Sequence, residues 1–391
     1  MLRNKGRHGV RVLTAGGEIE VSRRYFWAPG RAGVYPLDAV AGIAESCLTP
    51  GALEICCRMG MVQDFAQGSE DVRRIGGLPI CKERLRQVVE AEAAHLTEVR
   101  HQSRLPASWT VPETTPTAQN THRGYVGVDG VMAPMVTQAE KDKRRAEHVI
   151  RRKQRAAQGR PNLKPLPAAR PGSDLAYKEM KIGVLYDQDK KHRHAFATEK
   201  THEAFGPLLK TYAAQVQLEQ AEEALSLTDG ATWIARQVNG ALIFLTLMLL
   251  DFFHLSEHVF AAARDCFGDT PRAREWAKDR LTELKTLGIM PVRAAIEALS
   301  KACRAVAKRE SLRRLRQYIV ERNDMLDYRT ALARGWDIGS GPTEAMCKNL
   351  TLRLKRPGMK WDAKNAAALM NLTALYESGQ AKDYWAARKA A

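Results

Sequence analysis

Three carboxylates stand where a fold could bring them together. Asp129 closes the valine-rich run VGVDG, Asp229 closes LSLTDGA, and Glu344 sits in GSGPTEA at the expected start of a helix. Strand ends and helix starts can meet on one edge of a sheet, where sites in α/β folds lie. Three clustered carboxylates make a hard-oxygen site suited to magnesium, whose remaining positions are filled by waters and substrate phosphates. Two such ions about 3.5–4 Å apart activate a water or a 3′-hydroxyl and stabilise the leaving oxygen of an in-line displacement. This is the chemistry of cutting and joining DNA, and it asks for no protein nucleophile. Each residue also has a plain structural role open to it. Asp-Gly after a strand is a hairpin signal, and Asp229-Gly230 can form a turn or cap before a helix. Glu344 falls at the third helical position if Gly341 is the cap, where the helix dipole favours it.

On the helix that begins at GSGP, Glu344, Lys348, Thr351 and Lys355 recur at helical spacing on one face, and Met346, Leu350 and Leu354 lie on another. Lys348 and Lys355, with Arg353 and Arg356 close by, would then meet a phosphate backbone beside a metal carboxylate. A solvated helix in which Glu344 pairs with Lys348 is the alternative. The segment His254 to His258 reads HLSEH and matches H-x-x-E-H, a zinc-peptidase spacing with Glu257 as base. It abuts an apolar run ending in Asp251, not the middle of a long helix, and a peptidase would leave the basic charge of the chain unexplained. A packing or DNA-facing role for the two histidines, at the start of a helical insert, is the better expectation.

The elements around these residues follow from pattern. Residues 9–27 read as a hairpin turning at Gly16-Gly17. Residues 37–102 are helical, with Ser69 as a cap and a break at Gly76-Gly77 and Pro79 before a longer helix from Cys81. That is a candidate helix-turn-helix with Lys82, Arg84 and Arg86 near a DNA groove, or a plain helical hairpin. Residues 103–123 are rich in Pro, Ser and Thr and read as a linker. Strands are expected in GYVGVDGVMAPMV, YKEMKIGVLYDQ, RHAFATEK and EALSLTDG. A buried strand is also expected in ALIFLTLMLLDFF, with a buried helix as its alternative. Residues 139–170 carry eleven Lys/Arg against three Asp/Glu and read either as a basic arm touching phosphates or as a solvated insert. Helices are expected at 202–223 and 231–238 and throughout 257–333.

Lysine plus arginine outnumber aspartate plus glutamate 61 to 44, a formal charge of +17 over 391 residues. A field of that sign favours a polyanionic partner, nucleic acid first and an anionic membrane surface second. The longest apolar run, residues 241–250, is far short of the roughly 20 residues of a bilayer span. The opening MLRNKGRHGVRV has no apolar stretch of a secretory signal. The seven cysteines form no C-x-x-C pair, so free thiols in a reducing cytoplasm and no cysteine-based zinc site are expected.

Five blocks, VGVDGVMAPMV, YKEMKIGVLYDQ, LTDGATWI, LDFFHLSEHV and GSGPTEAMCKNLTLRLKRPGMKW, resemble in the same order the bacterial insertion-sequence transposases of the Kra type, relatives of the Mutator-like DDE group. The resemblance spans residues 36–375. It implies a ribonuclease-H-like core, a mixed sheet flanked by helices, with Asp129, Asp229 and Glu344 as the catalytic, metal-binding triad and Asp251, His254 and His258 as auxiliary residues. It implies two magnesium ions, replaceable by manganese, and double-stranded DNA as substrate at the element's ends and target. A homodimer or higher assembly on DNA and a cytoplasmic, nucleoid-associated location go with it. The implied division is a hairpin remnant of an N-terminal ribbon at 1–35, a helical region at 36–104, a linker at 105–123 and the first part of the core at 124–256. An all-helical insertion at 257–335 and the closing helix and tail at 336–391 complete it. Relatives often carry a cysteine-pair zinc ribbon before Pro-Leu-Asp. Here residues 23–38 hold no cysteine, and Met1 would begin inside a longer ancestral N-terminal domain. A DNA-binding relative that represses transposition without catalysis, and a structure-specific nuclease on the same core, are the competing readings.

Overall fold

The computed structural model describes residues 1–162 and 164–390. Leu163 and Ala391, which fall in the expected basic insert and tail, lie outside the described residues. Strands β1 (Arg3–Thr14) and β2 (Gly17–Trp27) form a largely exposed antiparallel hairpin, longer than residues 9–27 suggest. Four helices follow: α1 (Pro36–Val40), α2 (Pro50–Val62), α3 (Phe65–Gly76) and α4 (Lys82–His101). Asp64, not Ser69, caps α3, accepting from the backbone of Ala66 and Gln67. Gly77, at φ +62°, ends that helix in the left-handed conformation that favours glycine.

The centre is one five-stranded mixed sheet. Its strands are β3 (Arg123–Pro134), β4 (Tyr177–Asp187), β5 (Arg193–Thr198), β6 (Glu223–Thr228) and β7 (Leu247–Leu250), in the spatial order β5-β4-β3-β6-β7. The β3–β4 and β4–β5 pairs are antiparallel, and β3–β6 and β6–β7 are parallel. Buried runs such as Tyr125–Val126 and Ile182 through Tyr186 explain the near-continuous apolar sequence, because helices cover the sheet. Those helices include α6 (His202–Gln215) against β4 and β5, α7 (Thr232–Ala241) beside β6, α13 (Gly341–Thr351) on β3, and α14 (Ala363–Glu377) on β5 and α4. The ALIFLTLMLLDFF run supplies only a four-residue strand, and its first residue still belongs to α7.

Residues 138–157, expected as part of a basic arm without regular structure, form a helix, α5 (Gln138–Ala157). A capping box starts it: Glu140 N donates to Thr137 Oγ1, and Thr137 N donates to Glu140 Oε2. The Lys, Arg, Gln and Ala that fill it are good helix formers, so local propensity prevails over the charge. None of its residues is buried. The Pro- and Ser/Thr-rich stretch at 103–123 is not a free linker either. Leu105, Trp109 and Val111 are buried in the core.

Between β7 and α13 the described chain is helical: α8 (Phe252–Phe267), α9 (Pro271–Thr286), α10 (Ile289–Ala302), α11 (Val306–Glu321) and α12 (Tyr328–Ala333). Leu255, Val259, Ala262 and Cys266 on α8 repeat at helical spacing and pack with like rows on α9 and α11. Tyr328 ties this unit to the sheet by donating its hydroxyl to the Leu250 carbonyl at 2.9 Å. After α13 the chain does not trail off as a tail. Helix α14 buries most of its residues, and α15 (Ala381–Ala390) packs on α2. No described helix is long and apolar enough to cross a membrane.

Candidate active site

Strand register sets the first carboxylates side by side. Val128 of β3 stands opposite Thr228 of β6, and Thr228 stands opposite Leu250 of β7. The next residue of each chain segment is an aspartate: Asp129, Asp229 and Asp251. Three aspartates therefore leave one sheet edge in a row, at the carboxyl ends of parallel strands about 4.8 Å apart. β3 runs past this edge to Pro134, paired with β4.

Glu344 arrives from α13. A Cβ at Gly127 would lie 1.7 Å from Thr343 Oγ1, so the bare glycine is what lets α13 lie against β3. Ser340, one residue before the expected cap, precedes the first helical residue, and Glu344 takes the fourth helical position, its N–H donating to the Ser340 carbonyl at 3.1 Å. Asp129, Asp229, Asp251 and Glu344 line one cavity of about 210 Å³ with His254, Ser340 and Thr343.

The cavity is negative. No lysine or arginine is among its described lining residues. Burial raises the Asp129 pKa, Asp229 and Glu179 push the same way, and the Gly130 N–H and the neighbouring Cys347 thiol oppose them. Asp129 accepts from Gly130 N at 2.6 Å and Asp229 from Ala231 N at 2.9 Å, each through Oδ1. Thr343 Oγ1 is buried without a hydrogen-bond partner. Oxygen donors, surplus negative charge and an orphaned hydroxyl fit a hard divalent cation. Among the described residues no three His, Cys, Asp or Glu side chains are already grouped to hold an ion, so binding one requires the carboxylates to turn inward. Glu344 is exposed, and its Oε1 accepts a long hydrogen bond from the Ser340 hydroxyl at 3.4 Å.

Asp251 is engaged differently. Its Oδ1 accepts from Phe253 N and His254 N at 2.6 and 3.0 Å, and its Oδ2 accepts from Ser340 N at 2.6 Å and from the Ser340 hydroxyl. It caps α8 and holds the residue that starts α13, so it positions Glu344 rather than offering a free oxygen. Of the two histidines, His254 reaches the cavity. His258 stacks on Tyr318 with ring centroids 4.0 Å apart, and burial, then the neighbouring His254, lowers its pKa. Tyr318 and Arg322 of the helical unit were not foreseen. The Tyr318 hydroxyl donates to the Asp229 carbonyl at 3.3 Å and Arg322 Nε to the Gly230 carbonyl at 3.0 Å. Nothing local marks them in a basic helix. Ser340 did carry a signal, a serine just before a Gly-Pro helix start.

The expected DNA-facing residues separate. Lys348 and Lys355 are exposed and, with Arg356, line a hollow that includes Val131 of β3, two residues beyond Asp129. Thr351 lines the same hollow but is buried, and its hydroxyl donates to the Cys347 carbonyl. Arg353 is not exposed beside them, contrary to expectation. It is 3% exposed, donates to the Gly60 carbonyl and lies over the rings of Phe65 and Trp361, because the helix ends at Thr351 and the chain turns inward. Arg84 donates to the Ser46 carbonyl and Arg86 bridges Glu83 and Glu90.

The family model described as an uncharacterised protein family, UPF0236, matches residues 187–389. That is more than half of the chain, and the chain belongs to this family. The match takes in Asp229, Asp251 and Glu344 and begins after Asp129. No curated protein matches the chain.

Proposed function

We propose that this UPF0236 member is a DDE-type DNA transposase, built on a ribonuclease-H-like core, that cleaves DNA at the ends of an insertion element and joins them to a target. The observation that carries this reading is the convergence of Asp129, Asp229 and Glu344, from two adjacent strand ends and a helix start, on one cavity lined by no described lysine or arginine. These three would hold two magnesium ions, or manganese in their place. Bound there, the metal pair supplies activation of a water or 3′-hydroxyl and stabilisation of the leaving oxygen. The chain's own part is placement. Backbone N–H groups fix Asp129 and Asp229, Asp251 and Ser340 fix the start of the helix that carries Glu344, and Lys348 and Lys355 offer charge to a DNA strand. The +17 charge supports a nucleic-acid substrate.

The test is to incubate the protein with magnesium and DNA bearing the inverted repeats that flank its gene. Strand transfer is expected. Nicking without joining would instead indicate a structure-specific nuclease, and tight binding without cleavage a repressor of transposition. Asp129→Asn, Asp229→Asn and Glu344→Gln should each abolish cleavage and leave DNA affinity nearly intact, because affinity comes from Lys/Arg contacts. Normal cleavage by Glu344→Gln would overturn the site assignment.

A further inference from the structure

A second pocket, apart from the cavity of Asp129, Asp229 and Glu344, is formed by the start of α3, Arg86 and Glu90 of α4, the first turns of α5 and the segment 359–365. Arg353 lines it. Both terminal nitrogens of its guanidinium are buried with no hydrogen-bond partner, while Nε alone is used, on the Gly60 carbonyl. A buried guanidinium left with unpaired donors is costly, and such groups call for an anion or an ordered partner. Two of the pocket's three carboxylates are paired with other cations, and the third, Asp64, also faces Arg353. Asp64 caps α3 through Oδ1, Glu90 pairs with Arg86, and Asp362 pairs with Lys141 at 2.5 Å. Arg144 stands on the rim, exposed, with no ion pair among the described residues.

We infer that this pocket seats a phosphate group between Arg353 and Arg144. The guanidinium fork of Arg353 matches a phosphate's paired oxygens, and it lies near the rings of Phe65 and Trp361, which stand edge to face. The rim side chains must part to admit the anion, since both nitrogens are closed to water. The phosphate belongs either to a DNA strand, which rests on the transposase reading, or to a small phosphorylated ligand, which does not.

The test uses the full-length chain, inorganic phosphate and a short DNA duplex, with chloride at matched ionic strength as control. Phosphate should bind saturably and raise the Tm. Arg144→Ala and Arg353→Lys should each weaken it by about tenfold, and Lys278→Ala, at an exposed position on α9 outside the pocket, should not. If duplex affinity falls with the same two variants and not with Lys278→Ala, the phosphate is the backbone's. If only inorganic phosphate binding falls, it is a small ligand's. Should Arg353→Lys fail to fold, Arg144→Ala against Lys278→Ala decides alone. The inference is overturned if phosphate gives no effect beyond chloride and duplex affinity does not distinguish Arg144→Ala from Lys278→Ala. Loss of cleavage in the carboxylate variants is read separately, so failure of one reading leaves the other standing.

Discussion

α4 and α5 are both twenty residues long, and they use their charge in opposite ways. α4 buries seven residues, Arg100 among them; Arg84 donates to the Ser46 carbonyl, Arg86 pairs with glutamates, and Lys82 at its start is exposed. Arg100 donates to the Ala195 carbonyl, to Gln380 and to Ser378, all distant in sequence. α5 buries nothing, and along it Lys143, Arg151, Lys153 and Arg155 are exposed. Basic residues near a glycine turn drew attention to α4 as a reader of DNA, yet the helix free to meet a polyanion is α5. Lysine and arginine in a sequence measure charge, and only packing decides whether that charge is available.

The sharpest break of this contrast is Arg100→Ala. Orphaned acceptors and a cavity should cost about 3–5 kcal/mol, read by denaturant unfolding; a loss under 1 kcal/mol would mean that α4 does not depend on its buried cation. His194 tests the same region by pH. Burial, then Arg100, pushes its pKa down to about 3, against the opposing Gln215. The unfolded chain takes up this proton below pH 6.5 and the folded chain does not, so stability falls as pH drops from 6.5 toward 3. By pH 4 the loss should be about 3 kcal/mol, and His194→Gln should flatten that slope. On α5, replacing Lys143, Arg151, Lys153 and Arg155 together with Gln should weaken DNA binding about ten- to hundredfold and make its salt dependence shallower by up to about three units, with Tm unchanged within about 2 °C. Unaltered DNA affinity would remove α5 from the interface. The smallest effect is expected for Arg86→Ala: DNA affinity unchanged within about twofold and stability lowered by about 0.5–1 kcal/mol through its glutamate pairs.

Legibility followed the range of the interaction. The hairpin at the start and the strands around Asp129 and Asp229 were readable because alternation and valine-rich runs are local signals. The helix at 138–157 was hidden by its own charge, although its capping box was there to be read in Thr137 and Glu140. The burial of Leu105, Trp109 and Val111 was masked by prolines and hydroxyls around them. Of the cavity, Asp129, Asp229 and Glu344 were visible as residue types at element ends, while Asp251 and His254 entered through the family resemblance. Thr343, Tyr318 and Arg322 were not, since each matters through a neighbour that only the folded chain supplies.

The amino-acid sequence by itself determined which groups exist to do chemistry: carboxylates at strand ends, an excess of cations, thiols without C-x-x-C spacing. It also set the short-range structure, because caps, turns and periodicity act within a few residues. The tertiary structure alone decided that Val128, Thr228 and Leu250 share one register, so that the aspartates after them leave one edge together. It alone turned Arg353 inward and left α5 outside. Register and burial come from contacts between segments tens to hundreds of residues apart, and no local pattern encodes which of those contacts will form.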